Sequence, residues 1–342
     1  MVSSADSLYL TCNVGIYADG LLWNAKEKKN MLEIEHISVH FAAGHTVQAV
    51  EDVSFRIPQG SRMAIVGETG SGKSVLLLAI LNLLPKNAHV SGKAVLDGED
   101  LLTMSKKQLN RIRGGKISYV PQGGGASLNP LYTIGFQVGE PLMIHRNYSR
   151  KQAFLESISL LKRFNLGNEE KTASFYPHML SGGMRQRAMV AMGISAGAEI
   201  IFADEPTKGL DERRVHLTAE TLNRLEKETL LCVTHDLRFA SEVCQEIIVM
   251  YAGQQVEAGQ TRELFQSPLH PYTKAMLEAM PENGMKFQAG FAAEHSVLDG
   301  GCRYRERCPY AQERCRQIPP MAVVGKRKVR CWNYVVGDKG TF

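Results

Sequence analysis

Apolar and polar positions alternate along residues 32–66, around Gly44 and Gly60, which predicts short strands of an antiparallel sheet. Leu32, Ile34, Ile37, Val39 and Phe41 form the first run. Val53, Phe55 and Ile57 form another and lead into the turn Pro58-Gln59-Gly60. The alternation then stops. Residues 63–66 are continuously apolar, as in a strand buried on both faces, and a glycine-rich loop and the apolar stretch 75–84 follow. That stretch is half the ~20 residues a membrane-spanning helix needs, so it is predicted as a buried helix. Residues 117–121, 200–203 and 230–234 read as further short strands, with helical stretches around 150–165 and 184–196. Strands separated by helices predict an α/β fold with a parallel sheet covered on both faces. After Gly259 the pattern changes to a helix near 270–280 and a loop-rich, cysteine-bearing tail.

Composition changes this picture little. The 342 residues exceed one ordinary domain, and 44% apolar content suits a sizeable core. The net charge of +5 is modest, and the small cluster Lys326, Arg327, Lys328 and Arg330 reads as a solvated basic tail rather than a nucleic-acid or acidic-membrane surface. Residues 1–30 precede the first strand as an extension; they lack the basic start and compact apolar core of a signal peptide. Cys12, Cys232 and Cys244 are scattered, whereas Cys302, Cys308, Cys315 and Cys331 crowd together. With no secretion signal predicted, clustered thiols suggest a metal site before disulfides. Their C-x5-C-x6-C-x15-C spacing differs from paired zinc-ribbon motifs.

The chemistry begins at Gly67-Glu68-Thr69-Gly70-Ser71-Gly72-Lys73-Ser74, which fits G-x-x-x-x-G-K-[ST] between a strand and a helix. Glycines let the backbone curl so that successive N–H groups meet phosphate oxygens, and the helix behind adds its positive end. Lys73 supplies a point charge to the β- and γ-phosphates of ATP, and Ser74 a hydroxyl to Mg²⁺. Downstream, Ile200-Ile201-Phe202-Ala203-Asp204-Glu205 is an apolar strand ending in two acids, at the sheet edge where open α/β folds bind ligands. Asp204 is placed to hold Mg²⁺, directly or through water, and Glu205 to polarise the attacking water.

Leu180-Ser181-Gly182-Gly183-Met184, followed by Arg185-Gln186-Arg187, opens a second helix with an anion-binding end. In this order with the two preceding motifs it resembles the signature of ABC (ATP-binding-cassette) ATPases. The resemblance spans nearly all of residues 32–335. It implies a cassette with a largely parallel mixed sheet, an antiparallel β subdomain and a helical subdomain over residues 31–260, then a small cysteine-rich extension over 261–342. It implies that Ser181, Gly182 and Gly183 contact the γ-phosphate held by an opposite subunit. It also assigns Gln122 as the Q-loop glutamine that senses Mg²⁺ and the membrane partner, Asp211 in Gly209-Leu210-Asp211 to the dimer seam, His235 as the switch histidine, and Phe41 as the adenine-stacking aromatic.

Ser267-Pro268-Leu269-His270-Pro271-Tyr272-Thr273 and the run Gly301-Cys302-Arg303 to Arg307-Cys308-Pro309-Tyr310 resemble the ATPase subunits of peptide and nickel importers. That group implies ATP-driven uptake at the cytoplasmic face of the inner membrane. Its partners are two membrane permeases, a second ATP-binding subunit (a paralogue or a second copy) and an extracytoplasmic solute-binding protein, with no nucleic acid. It also favours a [4Fe–4S] cluster on Cys302, Cys308, Cys315 and Cys331, with zinc or no metal as the alternatives. The chain departs from the group at Gln122-Gly123-Gly124-Gly125, where an acid and a proline are usual, and at Lys208-Gly209, where small residues are. A nickel or metal-chelate cargo therefore stays open beside peptides. The readings from other classes are a soluble ABC ATPase outside transport and a redox-sensing nucleotide-binding module. The first conflicts with the short span between Lys73 and Ser181, and the second with intact Glu205 and His235.

Overall fold

The computed structural model describes residues 30–43, 45–121, 127–225, 228–286 and 300–335. Strands β1 (Asn30–Ala43) and β2 (His45–Pro58) pair antiparallel, Ile34 opposite Phe55 and Ile37 opposite Val53. Strand β3 (Arg62–Val66) leads through the glycine loop into α1 (Lys73–Ile80). The helix stops short of the predicted 84 because Asn82 turns left-handed (φ 51°) and Pro85 follows. Next come β4 (Ala88–Leu96), β5 (Glu99–Asp100) and α2 (Lys106–Ile112), the last opened by a reciprocal Ser105–Gln108 cap. Strand β6 (Ile117–Val120) precedes a group of helices, α3 (Ile134–Arg146), α4 (Arg150–Arg163), α5 (Glu169–Ala173) and α6 (Gly182–Ser195).

Strands and helices then alternate: β7 (Ile200–Asp204), α7 (Glu212–Asn223), β8 (Thr229–Thr234), α8 (Leu237–Val243) and β9 (Glu246–Tyr251). The chain finishes with β10 (Gln254–Gln260), α9 (Thr261–Gln266), α10 (Pro271–Glu278), β11 (Ala322–Val324) and β12 (Arg327–Val329). The sheet order is β5-β4-β1-β2-β10-β9-β3-β8-β7-β6, with β12 also on β10. Its parallel centre runs β9-β3-β8-β7-β6.

Central strands β7 and β8 are buried at every position, as strands covered on both faces require. Alternate residues feed two cores. Met63, Ile65, Phe202 and Val233 pack with Leu76, Leu77 and Ile80 of α1 and with the antiparallel β1 and β2. Ala64, Val66, Ile201 and Ala203 pack instead under α6, α7 and α8. This two-sided burial holds the strand ends level, which is what the site needs.

The basic cluster is not a solvated tail. Arg330 is buried, donates to Asp52 Oδ2 (2.9 Å), and also bonds the carbonyls of Asp52 and Gln255. Arg327 to Val329 form β12 on the edge of β10. The tail is fused to the cassette at a second place. Glu257 of β10, fully buried, accepts from the backbone N–H groups of Leu269 (3.0 Å) and His270 (2.8 Å). The His270 Nδ1 in turn accepts from the N–H of Tyr272 (3.1 Å), and the Tyr272 ring packs tilted against Tyr251 and edge-on against Tyr304 at centroid distances of 4.6 and 5.4 Å.

Burial pushes the His270 imidazole down to about 3, so it folds neutral. An unfolded histidine titrates near 6.5, so below that pH the unfolded chain binds the extra proton and stability falls. Urea denaturation at pH 7.5, 6.5 and 5.5 is expected to show this loss, up to ~1.4 kcal/mol per pH unit from this group. His270→Asn, which keeps an acceptor, should flatten that slope; an unchanged slope would remove His270 as its source.

Candidate nucleotide site

The ends of β3, β8 and β7 lie side by side, Val66 opposite Thr234 and Val233 opposite Asp204. The loop leaving β3 runs against neighbouring backbone. A Cβ on Gly67 would stand 2.1 Å from the carbonyl oxygen of Met250. One on Gly72, at φ 93°, would stand 2.3 Å from that of Ala49. Only glycine fits either position. Lys73 is buried and donates from Nζ to the carbonyls of Gly67 (2.8 Å) and Glu68 (2.9 Å). Its Nζ lies 3.6 Å from Glu205 Oε1. Burial lowers the Lys73 pKa, and the Glu205 carboxylate works against that. The Ser71 hydroxyl is buried with no hydrogen-bond partner among the described residues, a donor free for an anion. Thr69 and Gly70 form the exposed crest.

Two hydroxyls hold Asp204: Ser74 Oγ donates to Oδ1 (2.8 Å) and Tyr119 Oη to Oδ2 (2.9 Å). Burial raises the Asp204 pKa, partly offset by those two bonds. Glu205 adopts a left-handed backbone (φ 46°), a conformation costing about 1–3 kcal/mol outside glycine. Its N–H donates to the Val233 carbonyl (2.8 Å). The turn brings its carboxylate between Lys73 and His235, whose Nδ1 is 2.7 Å from Glu205 Oε2. Lys73, Ser74, Asp204, Glu205 and His235, far apart in sequence, therefore meet at one sheet edge.

Ser181 caps α6, its Oγ accepting from the N–H of Met184 (3.3 Å). Inside α6, Gln186 donates to the Pro206 carbonyl and accepts from Thr218 Oγ1 (3.1 Å), tying the helix to the segment after Glu205. Asp211 caps α7 through the N–H of Arg214 (3.0 Å). The glycines behind Ser181 face open space: a Cβ on Gly183 would meet nothing within 4 Å, and one on Gly182 only an Arg214 nitrogen at 3.7 Å. This chain alone supplies no steric reason for glycine there. Phe41 lies on β1 opposite Val47 and Ala88, half-buried against the core. Gln122 lies outside the described residues.

Cys302, Cys308, Cys315 and Cys331 line one small cavity with His270, Tyr304 and Trp332. Burial raises the thiol of Cys302 to about 11 and also raises those of Cys308 and Cys331. Among the described residues no group of three or more His, Cys, Asp or Glu is arranged to hold a metal ion.

Residues 50–208 match the family model for the ABC transporter, and residues 256–315 match that for the oligopeptide/dipeptide transporter C-terminal region. The chain is 39% identical to the dipeptide transport ATP-binding protein DppD of Haemophilus influenzae, over 88% of this chain and 94% of that one. The chain belongs to the ABC transporter ATPases. A second relative of this ATPase, the oligopeptide transport ATP-binding protein OppD of Salmonella typhimurium, is 35% identical over 88% of this chain and 92% of that protein. Among solved structures, a dimeric ATP-binding cassette (MJ0796) bound to ADP and phosphate superposes with a TM-score of 0.60 and 27% identity. It covers 68% of this chain and 99% of that one. Members of the family hydrolyse ATP to power transport, as ATPase dimers working with membrane permeases. No helix among the described residues is long and apolar enough to cross a membrane.

Sequence reasoning passed over Tyr119, whose only signal was a polar-tipped residue inside an apolar strand. On the role that sequence assigns Asp204, Tyr119→Phe should raise the Mg²⁺ concentration for half-maximal ATPase activity about 3–10-fold by removing one hydrogen bond to its carboxylate. A Mg²⁺ titration identical to wild type would make Tyr119 irrelevant to that carboxylate.

Proposed function

We propose that the chain is the ATP-hydrolysing subunit of a peptide importer, working at the cytoplasmic face of the inner membrane as half of an ATPase dimer. The observation that carries this is the meeting of Lys73, Asp204, Glu205 and His235 at one edge, while the glycines after Ser181 stay open to an approaching partner. The phosphate loop binds the nucleotide through its N–H groups, the free Ser71 hydroxyl and Lys73. Ser74 and Asp204, already joined by a hydrogen bond, would hold Mg²⁺. When bound, that ion neutralises charge on the β- and γ-phosphate oxygens. Glu205 accepts a hydrogen bond from the attacking water and orients it in line. His235, in contact with Glu205, donates to the γ-phosphate as charge develops there.

The open Ser181–Gly183 end of α6 would meet the γ-phosphate held by a second ATPase subunit, and Asp211 would line the seam. Dimer closure then bridges both nucleotides, and hydrolysis removes the bridge. Gln122 and Phe41 keep the roles the resemblance assigns them, sensing Mg²⁺ and the permease, and stacking on adenine.

Two membrane permeases and an extracytoplasmic solute-binding protein complete the proposed complex. Support for permease docking is a cavity between α3 and α4 lined by Thr133, Phe136, Met143 and Phe154, beside exposed Leu131, Tyr132 and Leu155. The relatives named for dipeptide and oligopeptide transport favour peptides over nickel as cargo. Glu205→Gln should permit ATP-induced dimers but cut turnover at least about 100-fold. Near-normal turnover in reconstituted membranes would take Glu205 out of the mechanism.

The convergence of all four clustered thiols on one cavity supports a second reading, that they hold a [4Fe–4S] cluster of structural or regulatory role. The donor set suits such a group in kind and number, four half-buried thiols, although they are not arranged as a metal-holding group. The raised thiol pKa values mean that binding must expel protons. Anaerobically purified protein is expected to be brown with about four irons per chain. Colourless, iron-free protein would count decisively against the cluster, and stoichiometric zinc would replace it.

A further inference from the structure

The tail reaches the nucleotide site. We infer that Arg307, within the cysteine segment, is a positioning residue that sets the phosphate loop through Glu68. This rests on the nucleotide-binding role proposed above for that loop. Glu68 is held at three points: its N–H donates to Tyr272 Oη (2.9 Å), its carbonyl accepts from Lys73 Nζ (2.9 Å), and its carboxylate accepts from Arg307 Nη1 (3.0 and 3.1 Å). Arg307 is itself fixed, with its guanidinium 5.8 Å from the ring centroids of both Tyr251 and Tyr304 and only 10% of its side chain exposed. One residue thus connects the ammonium that meets phosphate to two side chains from beyond the cassette sheet.

The other end of the loop is braced from the same segment. The Ser71 carbonyl accepts from the N–H of Gly253 (3.0 Å) in the β9–β10 turn. Arg303 holds that turn by bonding the Ala252 carbonyl, and pairs with Glu51 Oε2 (2.5 Å). Gly253 also accepts from the N–H of Glu51 (2.8 Å). A glycine-rich loop otherwise loses conformational freedom when it closes on phosphate. Bracing it in advance lowers that cost and strengthens binding. The bracing acts on affinity, because neither arginine reaches Glu205 or His235.

The test measures Mg·ADP binding to the purified full-length chain by calorimetry, so it does not depend on turnover. Arg307→Ala and Glu68→Gln should each weaken Mg·ADP about 3–10-fold, a modest effect because the Glu68 carboxylate is partly exposed. The double variant should bind no more weakly than either single one, and Arg307→Lys should recover part of the loss. In the reconstituted complex Arg307→Ala should raise KM for ATP by the same factor while kcat holds. Wild-type affinity in folded Glu68→Gln, or additive losses in the double variant, would overturn the inference. Should Arg307→Ala fail to fold, the near-isosteric Glu68→Gln decides alone. Lys73→Ala separates the two proposals: its loss of binding beside an unaffected Glu68→Gln sinks only the bracing, whereas wild-type binding by Lys73→Ala sinks the nucleotide site itself.

Discussion

A buried ammonium must be neutralised where it stands, and the site is arranged around that demand. Lys73 is shut in by the sheet and the glycine loop, with two loop carbonyls and the Glu205 carboxylate as its partners. Glu205 reaches it only because its backbone turns left-handed at the end of β7, and the same turn sets its other oxygen against His235. The charge expected to bind phosphate and the pair expected to handle water are thereby held in one register. Two-sided packing of β3, β7 and β8 keeps these ends level.

A contrast in glycine use separates inward from outward function. Gly67 and Gly72 are required by backbone lying against them, whereas Gly182 and Gly183 face space in which a side chain would meet almost nothing. Internal sterics explain the first pair; for the second, the proposed contact with another subunit supplies the reason. On the proposed function, a nucleotide held between two subunits would account for both.

Local motifs made much of the site legible before any coordinates. The phosphate loop, the acids at 204 and 205, Ser181 and His235 each sit beside a strand or helix signal that places them. The buried strands 63–66, 200–203 and 230–234 were legible for the same reason, since continuous apolar runs leave few alternatives. Helix α3 was hidden by Pro141 within it, and β4 by an exposed polar middle. Tyr119, Arg303 and Arg307 were invisible because their partners lie far away in sequence. The basic cluster misled for that reason too: Arg330 looks solvated until Asp52 is folded beside it.

The interlocking of tail and cassette means that cutting after β10 exposes more than a loose end. Such a cut strips Glu257 of both amide donors, Glu51 and Asp52 of their arginines, and the Tyr251 ring of its two aromatic neighbours. The acids at 51, 52 and 257 and the ring at 251 are thus completed only by residues from beyond β10, which makes the tail a structural part of this ATPase and not a detachable appendage.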